Sequence, residues 1–219
     1  PYWPKKDKYP IGRNGEPMIM IAQLNFSELP HLNGYPRKGI LQFFVNDAEY
    51  NDTGDKNIKV FYHERPVTEE YDMLNDIPRT TFQEKEYDFP FTGMYKITKG
   101  VMEKQCLQYS CEKFNSILNP IIEKNFHVSV KSLWDLPKSI YDRLLKKISE
   151  NSWGTRIGGY PNFTQWDPRH GDEYQTLLFQ LDSEKGIMWG DVGIANWFID
   201  EKNLKVNNFN KVYFTWDCY

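Results

Sequence analysis

Histidine and cysteine are scarce in this chain, and their placement excludes more than their number does. Four histidines, His31, His63, His127 and His170, are scattered without ligand spacing, and there is no CxxC and no HExxH. Neither a bound metal nor a cofactor is therefore expected. Three cysteines, Cys106, Cys111 and Cys218, do not make an even disulfide framework, which points to a reducing compartment. Cys106 and Cys111 lie about 140° apart around a helix axis, which suits neither a bridge nor a chelate. No apolar run approaches the ~20 residues that span a bilayer, and no charged-then-apolar leader opens the chain. A cytoplasmic protein is expected, with no membrane partner.

A dominant charge is also missing. Lys+Arg 27 stand against Asp+Glu 30, a formal net charge of -3, so no whole-protein field drives the chain onto nucleic acid. Aromatic content is high at 16%. Much of it sits in strand-like runs such as Phe43, Phe44 and Phe61, Tyr62, where core packing is the ordinary explanation. Stacking on bases would need a basic stripe that does not accompany these rings.

What the chain does have is self-similarity. Gln23, Leu24, Asn25 match Gln180, Leu181, Asp182. After a loop of similar length, Gly39, Ile40, Gln42, Phe43, Phe44, Val45, Asn46 match Gly193, Ile194, Asn196, Trp197, Phe198, Ile199, Asp200. Pro4 precedes Gln23 by the interval at which Pro161 precedes Gln180. The expectation is a duplicated strand-loop-strand unit, at about 1 to 47 and again at about 158 to 219, within a single domain. "MIMIAQLN" and "TLLFQLDS" read as strands buried on both sides. The inserted stretch from about 48 to 157 offers strands in "NIKVFYHERP" and "FTGMYKIT", then two helices. One carries Leu107, Cys111, Phe114 and Leu118 on a single face and stops at Pro120. The other has Asp135 as cap, Pro137 in the first turn, and Ile140, Leu144, Leu145 and Ile148 as its apolar stripe. The fold class is α+β, β-dominated, with two pseudo-symmetric units forming packed sheets and helices inserted between them.

Two stretches are candidates for function. In "IMWGDVGIANWFID", Gly190 and Gly193 bracket Asp191, and Trp189 precedes them. Such glycines permit a positive φ or a close backbone approach. Asp191 then either accepts hydrogen bonds from turn amides or lines a ligand or partner groove. The loop "GGYPNFTQWDPRHGDE" holds Gln165, Trp166, Asp167, Arg169 and His170. Loops rich in Trp and Arg concentrate binding energy. Alternatively Asp167 and Arg169 satisfy each other and Trp166 plugs the core. His170 beside Asp172 has the form of a base and its orienting acid, but no Ser or Cys nucleophile stands in an activating context.

"GGYPNFTQWDPR", "LLFQLDS", "MWGDVGIANWFI", the terminal "FTWDCY" and "MIMIAQLNFSELPHLNGYPRKGILQFF" together resemble the YwqG-like family of bacterial proteins. The likeness covers both ends and most of the chain, and is weakest from about Asn51 to Lys131. Members of that family begin with a helical segment and a glycine-bearing lead-in, so Pro1 resembles an interior start. The resemblance implies architecture and no catalytic residue. It extends remotely to programmed-cell-death-2-type proteins, which escort a ribosomal protein, and some members occur near bacterial toxin systems. Both associations imply a protein partner. One reading is thus a protein-binding module, chaperone-like or toxin-neutralising, that uses a groove between the two β units. The other is a hydrolase or small-ligand enzyme with a site near Asp191 and the Arg169/His170 loop, which requires those side chains to converge in one pocket.

Overall fold

Branched and aromatic runs form six strands in two antiparallel sheets. The computed structural model describes residues 2–13, 15–46, 57–70, 73, 89–91, 93–104, 107–127, 129–149, 153–171 and 173–219, so Cys106 and Asp172 lie outside the described residues. Strands β1 (Ile19–Asn25), β2 (Ile40–Val45) and β3 (Ile58–His63) make the first sheet. Helices α1 (Phe114–Phe126) and α2 (Lys138–Ser149) follow. Strands β4 (Thr176–Asp182), β5 (Ile194–Ile199) and β6 (Val212–Asp217) make the second sheet, with the short α3 (Glu201–Lys205) between the last two. Each sheet is a meander whose middle strand is buried along its whole length. The molecule is α+β and β-rich.

The two sheets share a register. Gln23 opposes Gln42 and Gln180 opposes Asn196, and each first pairing shifts at one place, between Met20 and Ala22 and between Leu177 and Phe179. In the third strands His63 opposes Ile40 and Asp217 opposes Ile194. Glycine precedes each middle strand for one reason: a Cβ on Gly39 would press on the His63 carbonyl oxygen, and one on Gly193 on that of Asp217. The strand expected in "NIKVFYHERP" is therefore the third strand of the first sheet rather than part of an insertion.

With side chains alternating across each strand, one face of each sheet packs on the other sheet. Phe43 stacks on Phe179 with ring centroids 4.9 Å apart, and meets Trp197 edge-on at 5.5 Å. Leu41, Val45, Val60, Leu181, Trp189, Ile199 and Phe214 complete this core. The space between the β units is thus filled by side chains, and the groove expected there is core instead.

Each outer face is covered by a strap. Trp3 packs on Phe44 and Met18, and Phe163 on Phe198 and Leu177. Side-chain amides hold the straps by their main chain. Gln23 Oε1 accepts from Tyr2 N–H at 2.8 Å while Gln42 Nε2 donates to the Tyr2 carbonyl. In the second unit Gln180 Oε1 accepts from Asn162 N–H at 2.8 Å and Asn196 Nδ2 donates to the Asn162 carbonyl at 2.9 Å. The residues in matching positions are therefore Tyr2 and Asn162, not the two prolines equally spaced from the glutamines. His63 Nε2 lies 3.0 Å from Gln42 Oε1. That oxygen can only accept, so the imidazole nitrogen donates.

The helices form their own cluster, in which Phe114, Ile122, Val130, Leu133, Leu136 and Ile148 are buried against Leu118, Ile140, Leu144 and Leu145. Pro120 lies inside α1 rather than ending it. Its missing N–H removes one helical bond, and Phe114 and Ile122, on either side of it, are both buried. Leu107 and Cys111 lie before the helix, outside it. Asp135 caps a short 3-10 turn, Leu133–Asp135, accepting from Lys131 and Ser132 N–H at 3.0 Å each, and α2 starts after it. In "FTGMYKIT" only Phe91 pairs among the described residues, with Ile187, and residues 93–98 are irregular with Met94, Tyr95 and Ile97 exposed. Alternation of apolar residues there meets no partner strand among the described residues.

Candidate functional site

The loop after the second strap leaves the sheet at Phe163, and what it does next is dictated by Asp217 at the end of β6. The Asp217 carboxylate accepts from Thr164 N–H at 3.2 Å and from Gln165 N–H at 2.8 Å, and Gln165 Nε2 donates to the Cys218 carbonyl at 2.7 Å. Trp166, one residue further, projects into solvent with 69% of its surface exposed. The chain then turns inward. Asp167 and Arg169 are both buried and meet as a fork on a carboxylate, Nε to Oδ1 at 2.8 Å and Nη2 to Oδ2 at 2.7 Å. Arg169 Nη1 donates to the Tyr174 carbonyl at 3.2 Å, its guanidinium lies 4.1 Å from the Phe198 ring centroid, and Asp167 Oδ2 accepts from Glu112 N–H at 3.1 Å. A buried charge needs such a partner. This pair therefore pins the loop and the turn before α1 to the strap, while Trp166 stays outside the core.

The turn from Trp189 to Gly193 is built differently from the Asx arrangement that its carboxylate suggested. Gly193 N–H closes the turn on the Trp189 carbonyl at 2.8 Å, and the Asp191 main-chain carbonyl, not its side chain, accepts from Tyr219 N–H at 3.1 Å. Asp191 is exposed. Gly190 has φ 55°, and a Cβ there would meet Cys218 Sγ at 2.8 Å. Val192 also lies in the left-handed region at φ 51°, a costly conformation for a β-branched side chain. Trp189 is wholly buried in the core, and its indole N–H makes no hydrogen bond among the described residues.

Of the expected site residues, Gln165, Trp166 and Asp191 are thus brought to one edge of the second sheet, tied together through Cys218 and Tyr219. Asp167, Arg169 and Trp189 support that edge from within. His170 is exposed, its Nδ1 3.9 Å from Glu112 Oε1. Asp217, Cys218 and Tyr219 complete the edge; the only trace of them in the sequence was the terminal "FTWDCY" block. Tyr219 is 68% exposed. Two surface cavities, of about 260 and 230 Å³, are lined by residues that include Ile11, Arg13 and Lys59 in one and Trp134, Lys138 and Tyr141 in the other. Neither is lined by Asp191, Arg169 or His170. Among the described residues no group of three or more His, Cys, Asp or Glu could hold a metal ion, and no helix is long and apolar enough to cross a membrane.

One family model, described as a domain of unknown function (DUF1963), matches residues 1–218 and so takes in both sheets and the helices between them. The chain belongs to that family. No curated protein matches it. For this DUF1963 chain, the functional reading starts from the chemistry of its own surface.

Proposed function

We propose that this chain is a protein-binding module, and that its binding face is the edge formed by Gln165, Trp166, Asp191, Val192 and Tyr219. The observation that carries the reading is the exposure of Trp166 and Tyr219 on segments fastened to one another by hydrogen bonds from Gln165 to Asp217 and Cys218 and from Tyr219 to Asp191. Large aromatic side chains on a rigid frame are the groups that carry most binding energy when a partner covers them. The strained backbone at Val192 belongs to the same edge, and strain of this kind clusters at ligand clamps. The carboxylate of Asp191 beside these rings suits a partner that presents a basic group next to an apolar one. The resemblance to YwqG-like bacterial proteins and, remotely, to programmed-cell-death-2-type proteins supports a chaperone-like or toxin-neutralising role in the cytoplasm. The common register of the two sheets supports their origin by duplication.

The test is Trp166→Ala with Tyr219→Ala. Both side chains are mostly exposed, so the doubly substituted chain should melt within about 0.5 kcal/mol of the parent. It should also lose a protein that the parent captures specifically from lysate. A folded variant that retains every captured protein would remove this edge from the interface.

A further inference from the structure

Trp134 is the most exposed large apolar side chain among the described residues, with 80% of its surface open. Its base is fixed all the same. Leu133 before it and Leu136 after it are buried in the helical cluster, and Asp135 Oδ2 holds the turn by accepting from Lys131 and Ser132 N–H at 3.0 Å each. One face of the indole lies against Tyr141 of α2, ring centroids 5.2 Å apart and planes 34° from parallel. The other face is left to solvent.

Beside the rings is the cavity of about 230 Å³ lined by Trp134, Leu136, Lys138 and Tyr141. At its rim Lys138 forms an ion pair with Asp142, Nζ lying 3.3 Å from Oδ2 and 3.4 Å from Oδ1, with both side chains exposed. Neither the Trp134 indole N–H nor the Tyr141 hydroxyl makes a hydrogen bond with a described residue.

Three features select what fits here. The two rings already stack on each other, so a flat ligand is met on one face and is not sandwiched. The paired ammonium and carboxylate supply a donor and an acceptor without net charge, which favours a neutral ligand over an anion such as a nucleotide, whose phosphate would meet Asp142 as well as Lys138. The cavity is smaller than the roughly 300 Å³ at which pockets for drug-sized molecules begin, so it has room for a single ring. A pyranose satisfies all three. Its ring C–H groups carry partial positive charge and suit the negative face of an indole, and each of its hydroxyls both donates and accepts.

We propose that the Trp134–Tyr141 platform is a carbohydrate-binding site for one pyranose ring of a saccharide. The C–H face of the sugar lies on the Trp134 indole, and its hydroxyls meet Lys138, Asp142 and the Tyr141 hydroxyl. Because the indole is held before the sugar arrives, little ordering opposes binding. The site belongs to the helical cluster, so it does not rest on the protein-binding reading of the edge around Trp166.

The test follows the indole N–H resonances of the seven tryptophans in the whole chain, with that of Trp134 assigned by its loss in Trp134→Phe. Cellotriose should move the Trp134 resonance saturably and leave the other six in place, with a Kd on the order of 1 mM, the affinity that a dozen ring atoms reach at ordinary ligand efficiency. Sorbitol, which has the hydroxyls and no ring face, should not move it, and adenylate should bind more weakly than cellotriose. Saturation transfer to the sugar's ring C–H protons should disappear in Trp134→Ala. Lys138→Met, which keeps both rings, should weaken cellotriose binding by about threefold or more. The proposal is overturned by a Trp134 resonance that stays still up to about 20 mM cellotriose, by an equal response to sorbitol, by tighter binding of adenylate, by transfer that survives Trp134→Ala, or by unchanged affinity in Lys138→Met.

Discussion

A methyl group added at residue 193 would land on the Asp217 carbonyl oxygen and stand 2.5 Å from that of Trp189. Both are main-chain atoms held in place, the first in β6 and the second in the turn that Gly193 N–H closes, so Gly193→Ala is expected to cost about 2–3 kcal/mol in denaturant unfolding. Asp191→Asn, two residues away on an exposed side chain, should stay within about 0.5 kcal/mol of the parent. Val192→Gly has the opposite sign: it relieves a left-handed β-branched residue and should stabilise by about 1 kcal/mol while loosening the proposed binding face. Asp182 adds a pH dependence. Burial pushes its carboxyl above the ordinary value, against the pull of the Gly154 and Ser183 N–H groups. The folded state then binds this proton more tightly than the unfolded chain. Its contribution is complete below the unfolded pKa and is lost as pH rises through the folded one. Asp182→Asn should flatten that part of the stability profile in denaturant titrations across the acid range, and an unchanged slope would assign it to other groups.

At the scale of elements, the loop from Thr164 to Arg169 has an anchored start, an exposed middle and a buried end. Removing Asp167 would leave Arg169 buried without its carboxylate, so Asp167→Ala should destabilise by about 3–5 kcal/mol and report as lost folding rather than lost binding. The same holds for Arg169→Ala, which makes Trp166 and Tyr219 the pair suited to a test of recognition. The alternatives weighed for this loop came from one composition, and the two answers are divided within it. Asp167 and Arg169 satisfy each other, while Trp166 stands in solvent. Burial depends on where Phe198 and Tyr174 come to lie, which no local pattern encodes. Pro120 teaches the same lesson in α1: a local rule for stopping a helix yields where apolar residues on both sides of the proline are buried in one cluster.

Across the whole molecule, the core divides between the sheet pair and the helical cluster. Phe43 is fully buried where the sheets meet, so Phe43→Ala should cost about 3–5 kcal/mol and loosen both sheets together. A deletion in the helical cluster should act more locally. Ile122→Ala is expected to raise amide exchange in α1 and α2 more than in β2 and β5, in keeping with separate cooperative units. Uniform loss of protection across helices and sheets would show one cooperative unit instead.

Sequence by itself determined the strand runs of β1 to β5, the glycines at 39 and 193, and the matched positions Gln42, Gln180 and Asn196. These are local consequences of residue shape and period, and they recur in both halves at the same register. Only the tertiary structure decided that Tyr2 and Asn162 are the strapped residues, that Trp189 and Arg169 lie inside, and that residues 154–156 close the outer edge of β4. Each of these depends on which distant main-chain group satisfies a hydrogen bond. Gln23 and Gln180 are the same amino acid in the same pattern, and what separates them is the neighbour that the fold places beside each.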